Sequence, residues 1–331
     1  MGREIFGKLE MSLSTHYKET EMLSVKLMTS IKDLLNDVDG EKRYKEPLSL
    51  HTSFRVGGNA DVLFFPKDKA SLVLAVRISN ENDVPIFILG NGSNLLVRDG
   101  GIQGMVISLK KMEGNIEINP GTHETFLVVS PAGTSMPALV RYAVDKGLEG
   151  LETLIGVPGT LGGALKMNAG AQGKDIGDIF HSVRMLNMKG EVKEFMKNEV
   201  RFHYRGTEFP EKGIFLEAIL ELKKGNKDAL SQKVKILLEK RNTSQPITQK
   251  GAGSIFKNPK GHYAGQLIEE AGLKSFSIGD AEVSPKHANF IINRGKAKAR
   301  DIEELIKVIQ EKVMVKAGIS LKPEIEIAGE R

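Results

Sequence analysis

The chain has 331 residues, 40% hydrophobic and 27% charged, which leaves room for two or three compact domains and excludes a disordered or fibrous protein. Cysteine is absent, and the seven histidines show no HExxH-like spacing. Disulfides, thiol nucleophiles and a cysteinyl cofactor link are thereby excluded, and no metal site is expected. A formal net charge of +5 suits anionic ligands, but the basic residues are dispersed, tryptophan is absent and aromatics are only 6%, so no nucleic-acid partner is expected.

The N-terminal segment lacks a secretory h-region, and no apolar run approaches the roughly 20 residues of a membrane span, so a cytosolic protein with no membrane insertion is expected. Apolar positions at 23, 27, 31, 34 and 35 predict an amphipathic helix. From about residue 45 the texture changes to short β-rich runs. A strand is expected over 60–65, a helix over about 69–80 and a strand over 85–89 that ends in GNGSNLLVRDGG. A second block follows, with a strand over 126–130, a helix over about 135–146 and the segment GVPGTLGGALKMNAGAQG. A hairpin over 182–195 and a strand over 214–222 complete it. Beyond about 225 helices are predicted over 227–241, 262–271 and 299–317, with strands over 289–293 and 324–328.

Gly90, Asn91, Gly92, Ser93 and Asn94 follow a predicted strand, where backbone N–H groups of a tight turn can converge on a pyrophosphate. The pattern is neither GxGxxG nor a Walker motif, and on its own it reads better as a simple turn. The second loop is denser: Gly156, Pro158, Gly159, Gly162, Gly163 and Gly170, then Gly173, with Asn168 among them. So many glycines lose much backbone entropy on ordering, which argues for a ligand rather than a turn. Two such loops on separate α/β units suggest a dinucleotide or flavin lying between them.

Seven segments in order then carry a resemblance: HTSFRVGG (51–58), ILGNGSNLLV (88–97), GLEGLETLIGVPGTLGGALKMNAGAQG (147–173), HYRGTEF (203–209), QKGAGSIFKNP (249–259), AGLKSFSIGDAEVSPKHANFIIN (271–293) and LKPEIEIAGE (321–330). The chain resembles the UDP-N-acetylenolpyruvoylglucosamine reductase (MurB) family over about residues 45–330, in its shorter, type II branch. The resemblance implies an α+β protein. A flavin module of the vanillyl-alcohol-oxidase (PCMH) type would span 45–222, as two α/β subdomains over about 45–110 and 111–222. A helical extension (1–44) would precede it, and a smaller α+β substrate domain (223–331) would follow. It also implies non-covalent FAD, NADPH as reductant, a UDP-sugar substrate and no obligate protein partner. Gln172 and Asp280 depart from the family pattern, which has Tyr and Gly at those places.

Reduction of an enolpyruvyl ether builds negative charge beside a carboxylate and ends with a proton on the neighbouring carbon, so it needs a cation and a positioned acid. The resemblance assigns these roles to Arg205, Glu324 and Ser254, with Asn258, Lys274 and His287 on the uridine diphosphate side. From the residues alone, Arg205 reads as a surface ion-pair residue, Glu324 as a carboxylate on an edge strand and Ser254 as a turn serine. Two other functions stay open, namely another FAD oxidoreductase on the same module and a non-catalytic nucleotide-binding protein.

Overall fold

The computed structural model describes residues 31–112 and 114–331. Of the helix expected over 23–35, residues 23–30 lie outside the described residues and 31–34 are helical. Ile31, Leu35 and Val38 are buried in the core of the first unit, so this part of the expected extension docks on the unit it precedes.

The first unit is a four-stranded sheet, in the order β1 (Gly40–Pro47), β2 (Asn59–Pro66), β5 (Ile102–Ile107) and β3 (Ile86–Ile88). β1 runs antiparallel to β2, while β2, β5 and β3 are parallel. β2 is apolar on both faces because both are covered, as is usual where a strand sits inside a layered sheet. Val62 and Phe64 pack with Leu72, Ala75 and Val76 of helix α1 (Lys69–Glu81). Ala60, Leu63 and Phe65 pack on the other side with Leu89, Leu95 and Val97. α1 begins at Asp68, whose carboxylate accepts from the Ser71 amide at 2.8 Å in a capping box.

The second unit is an antiparallel sheet in the order β9 (Val192–Met196), β8 (Phe180–Asn187), β12 (Gly213–Lys224), β7 (Thr125–Pro131) and β6 (Glu117–Pro120). Helices α2 (Met136–Asp145) and α3 (Leu161–Lys166) cover it through Met136, Leu139, Val140, Leu161 and Leu165. Between β9 and β12 a short hairpin, β10 (Arg201–His203) and β11 (Gly206–Glu208), packs Phe202 against the core of the unit. Helix α4 (Lys227–Ser244) packs Leu230 into this same core, with Val234, Leu237 and Leu238 against it. It therefore belongs with the second unit, rather than with the C-terminal domain that the sequence reading began at 223.

The third unit holds helices α5 (Ala264–Glu270) and α6 (Ala299–Ala317) on a small sheet of β13 (Ser277–Ile278), β14 (Ala281–Val283) and β15 (Ile291–Asn293). Ile302, Leu305, Ile309 and Val313 give α6 its buried stripe, and Gly318 ends it in the left-handed conformation, φ 68°. Phe54, Val56 and Leu96 of the first unit enter this core too. The final strand, β16 (Glu326–Ala328), leaves the third unit and pairs in parallel with β4 (Leu95–Val97) of the first. Glu324 thus lies just before the strand rather than on it, where the sequence reading had it.

Candidate active site

The loop 90–94 joins β3 to β4. None of its five backbone amides donates to another group among the described residues, so a row of N–H groups is left for a ligand. Gly92 is required there: its φ is 61°, and a Cβ would stand 2.2 Å from the His51 carbonyl oxygen. Backbone and hydroxyl of Ser53 both donate to the Gly92 carbonyl, at 3.0 and 3.1 Å, and hold the turn.

The second loop meets the first directly. Ser93 Oγ donates to the Pro158 carbonyl at 3.2 Å, and a Cβ on Gly159 would lie 3.1 Å from that same Oγ. Thr160, which sequence reasoning passed over, caps α3 by accepting from the Gly163 amide at 3.3 Å. Leu161 and Gly162 donate to the Thr134 and Ala132 carbonyls at 2.9 and 2.8 Å, which fixes the start of α3. The amides of Gly159 and Thr160 have no acceptor among the described residues. Two glycine turns in contact, both lined with free N–H groups, fit the diphosphate of a dinucleotide such as FAD.

A cation also faces this loop. A Cβ on Gly156 would stand 2.5 Å from Arg241 Nη1, and the Arg241 guanidinium has no hydrogen-bond or ion-pair partner among the described residues. Burial alone lowers its pKa, the mark of a cation without a counter-charge. Nothing in its sequence context, EKRNTSQP, distinguishes it from a solvated helix-end arginine.

Arg205 and Glu324, 119 positions apart, are brought together: Arg205 Nε donates to Glu324 Oε1 at 2.8 Å. Arg205 Nη2 donates to the Gly170 carbonyl at 3.3 Å, and Asp175 stands 3.9 Å from Nη1. Gly170 therefore serves the arginine as well as the loop, and a Cβ on it would collide with the Asp175 carboxylate. Asn168 accepts from the Gly177 amide and donates to the His203 carbonyl, both at 3.1 Å. Its side-chain amide ties the glycine loop to the hairpin that carries Arg205. Burial pushes the Glu324 carboxyl up, against the lowering by Arg205 and Lys257.

Ser254 follows Gly253, φ 76°, and bridges to Phe290. The next carbonyl, that of Ile255, accepts from the Glu324 amide at 2.7 Å, so the residue after Ser254 is tied to the backbone of Glu324. Asn94 Nδ2 donates to the Glu324 carbonyl at 3.1 Å, which links the trio to the first loop.

Asn258, Lys274 and His287 gather around α5. Asn258 Oδ1 accepts from the Ala264 amide at 3.0 Å, and a Cβ on Gly265 would touch the His287 ring at 3.1 Å. Lys274 is paired with Glu269 at 2.6 Å. His287 packs edge-on to Phe290, its Nδ1 accepts from the Asn289 amide at 3.2 Å, and burial lowers its pKa. It is a neutral ring offering Nε2–H, not a cation. Of the two departures, Gln172 is an exposed turn residue with φ 55°, and Asp280 accepts from the Lys296 amide at 2.7 Å.

Residues 60–196 match a family described as "FAD binding domain", and residues 245–328 match "UDP-N-acetylenolpyruvoylglucosamine reductase, C-terminal domain". The UDP-N-acetylenolpyruvoylglucosamine reductase of Clostridium tetani is 41% identical over 302 residues, covering 91% of this chain and 96% of the relative. That of Carboxydothermus hydrogenoformans is 44% identical over 286 residues, 86% of this chain and 93% of the relative. The chain belongs to the UDP-N-acetylenolpyruvoylglucosamine reductase family. A crystal structure of the Thermus caldophilus member of that family superposes with a TM-score of 0.73 at 35% identity, covering 87% of this chain and 98% of the other. Both loops lie in the FAD-binding match and Ser254 and Glu324 in the reductase match, whereas Arg205 lies between the two. The reductase match begins at 245, where α4 has just ended. Among the described residues no helix is long and apolar enough to cross a membrane.

Proposed function

We propose that this chain reduces the enolpyruvyl ether of UDP-N-acetylglucosamine to UDP-N-acetylmuramate, with NADPH as reductant and FAD as carrier, in the cytosol. The observation that carries the reading is the Arg205–Glu324 pair, formed beside two glycine loops suited to a diphosphate. Bound FAD supplies the hydride for the methylene carbon. Arg205, its fork held by Glu324 and the Gly170 carbonyl, turns its remaining N–H groups to the substrate carboxylate and to the charge that builds up beside it. Ser254 delivers the proton to the adjacent carbon. Asn258, Lys274 and neutral His287 receive the uridine diphosphate around α5. In domain terms, residues 31–244 form the flavin module and 245–331 the substrate domain, a division supported by the packing of α4.

The test is rapid-mixing absorbance on purified protein. NADPH should bleach the flavin, and the enolpyruvyl substrate should restore its colour without oxygen. In Ser254→Ala the bleaching should persist while the recolouring slows on the order of 10²-fold or more. A colourless protein that cannot be loaded with FAD, or no recolouring by the substrate, would overturn the reading.

A further inference from the structure

Arg205 sits at a place where an arginine is out of character. The β10–β11 hairpin turns on Tyr204 and Arg205, with His203 paired to Gly206. Arg205 has φ 56°. A positive φ at the second central residue of such a turn is ordinarily met by Gly or Asn, and a long side chain stays there only when its surroundings hold it.

The C-terminal unit supplies the hold. Lys257 Nζ donates to the Arg205 carbonyl at 3.0 Å, while Glu324 takes the guanidinium of the same residue. These two grips are mechanically one body. The Lys257 amide donates to the Lys322 carbonyl at 2.9 Å, Phe256 bridges to Pro323, and the Glu324 amide donates to the Ile255 carbonyl. A weaker contact, from the Asn258 amide to the Tyr204 hydroxyl at 3.4 Å, adds to them. Tyr204 in turn lies under the guanidinium, 5.0 Å from ring centre to Cζ.

We propose that Lys257 is a positioning residue of this reductase: by holding the Arg205 carbonyl it keeps the turn in its left-handed form and aims the guanidinium at Glu324. The inference rests on the reading of Arg205 as the residue that meets the substrate carboxylate. It makes the site conditional on docking of the C-terminal unit, since hairpin and clamp come from different units. Lys257 acts on the geometry of Arg205 and, through its charge, on Glu324. The charged groups around that carboxylate are Arg205 and Lys257, with Asp175 on the far side of the arginine.

Two variants and three measurements test this. In Lys257→Met, flavin bleaching by NADPH should be unchanged, whereas recolouring by the enolpyruvyl substrate should slow on the order of 10²-fold, the scale of a small misplacement of a reacting group. The half-saturating substrate concentration should move little. Lys257→Arg, which still offers an N–H to the carbonyl, should recover much of the rate. With the lysine charge gone, the acid limb of the recolouring rate should move to higher pH in Lys257→Met. A crystal structure of Lys257→Met supplies a readout independent of the reaction: Arg205 should leave the left-handed region and its bond to Glu324 should open. An Arg205–Glu324 pair unchanged in that structure would overturn the proposal. So would a loss confined to substrate affinity, which would make Lys257 a ligand, or equal slowing of both half-reactions, which would make it a fold residue. Failure of the parent enzyme to be recoloured would strike at the proposed function instead, and the crystal structure would still decide the role of Lys257.

Discussion

Glu324 is a carboxylate whose burial works against its ionisation, held in place by an arginine that works for it. Burial is the larger influence, so its pKa lies above the ordinary glutamate range. If the ionised form orients Arg205, the rate should fall as pH drops through that raised value. Glu324→Gln should lower the rate at all pH values and abolish the limb; a limb that survives belongs to another group. The stability consequence has the opposite sign. A carboxyl with a raised folded pKa contributes fully to the fold below its unfolded pKa, and that contribution is lost as pH rises through the folded value. Near pH 8 the charge is therefore a cost, and Glu324→Gln should melt at or above the parent temperature while being less active. A lower melting temperature would mean that the pair with Arg205 outweighs the burial.

Elements built on periodic burial were legible in the sequence, and those built on local geometry were not. α6 was expected over 299–317 and spans Ala299–Ala317, because its apolar stripe is long and Gly318 marks its end. The β10–β11 hairpin has strands of three residues, too short for any alternation to register, so Arg205 was found through its resemblance to a family and not through its element. Lys257 was missed altogether, since its partner is a backbone carbonyl whose direction depends on one positive φ. α4 looked like part of the C-terminal domain because sequence order gives no sign of which sheet a helix covers. The glycine turns allow a test at this scale. Gly92→Ala must open the turn against the His51 carbonyl, so it should lower stability by about 1–3 kcal/mol and weaken FAD retention, measured by flavin released on gel filtration. Full retention would show that the turn can yield and that the row of amides is not rigid.

At the scale of the whole molecule, the parallel pair of β4 and β16 closes the chain on itself. β4 carries the far end of the first glycine loop and finds its strand partner in β16, and Arg98 and Gly100 donate to the Ala328 and Glu330 carbonyls at 2.9 and 3.0 Å. A protein truncated after Pro323 loses this pair together with Glu324. It should release FAD and melt earlier, since Asn94 also loses its acceptor at 324. Flavin content and thermal unfolding of the truncated chain check this, and undiminished flavin content would show that the loop stands without its clip.

That clip also sets a timetable. Residues 90–94 leave the ribosome more than two hundred positions ahead of the strand that secures their far end, the separation between Asn94 and Glu324 being 230. Throughout translation the nascent flavin module carries an unpaired strand at β4, with Phe54, Val56 and Leu96 still waiting for the core they enter. Such a chain is exposed to misassociation for as long as its C-terminal unit is missing. If the truncation after Pro323 releases FAD, loading of the prosthetic group waits on residues 324–328, and flavin is taken up by chains in which that strand has already been made.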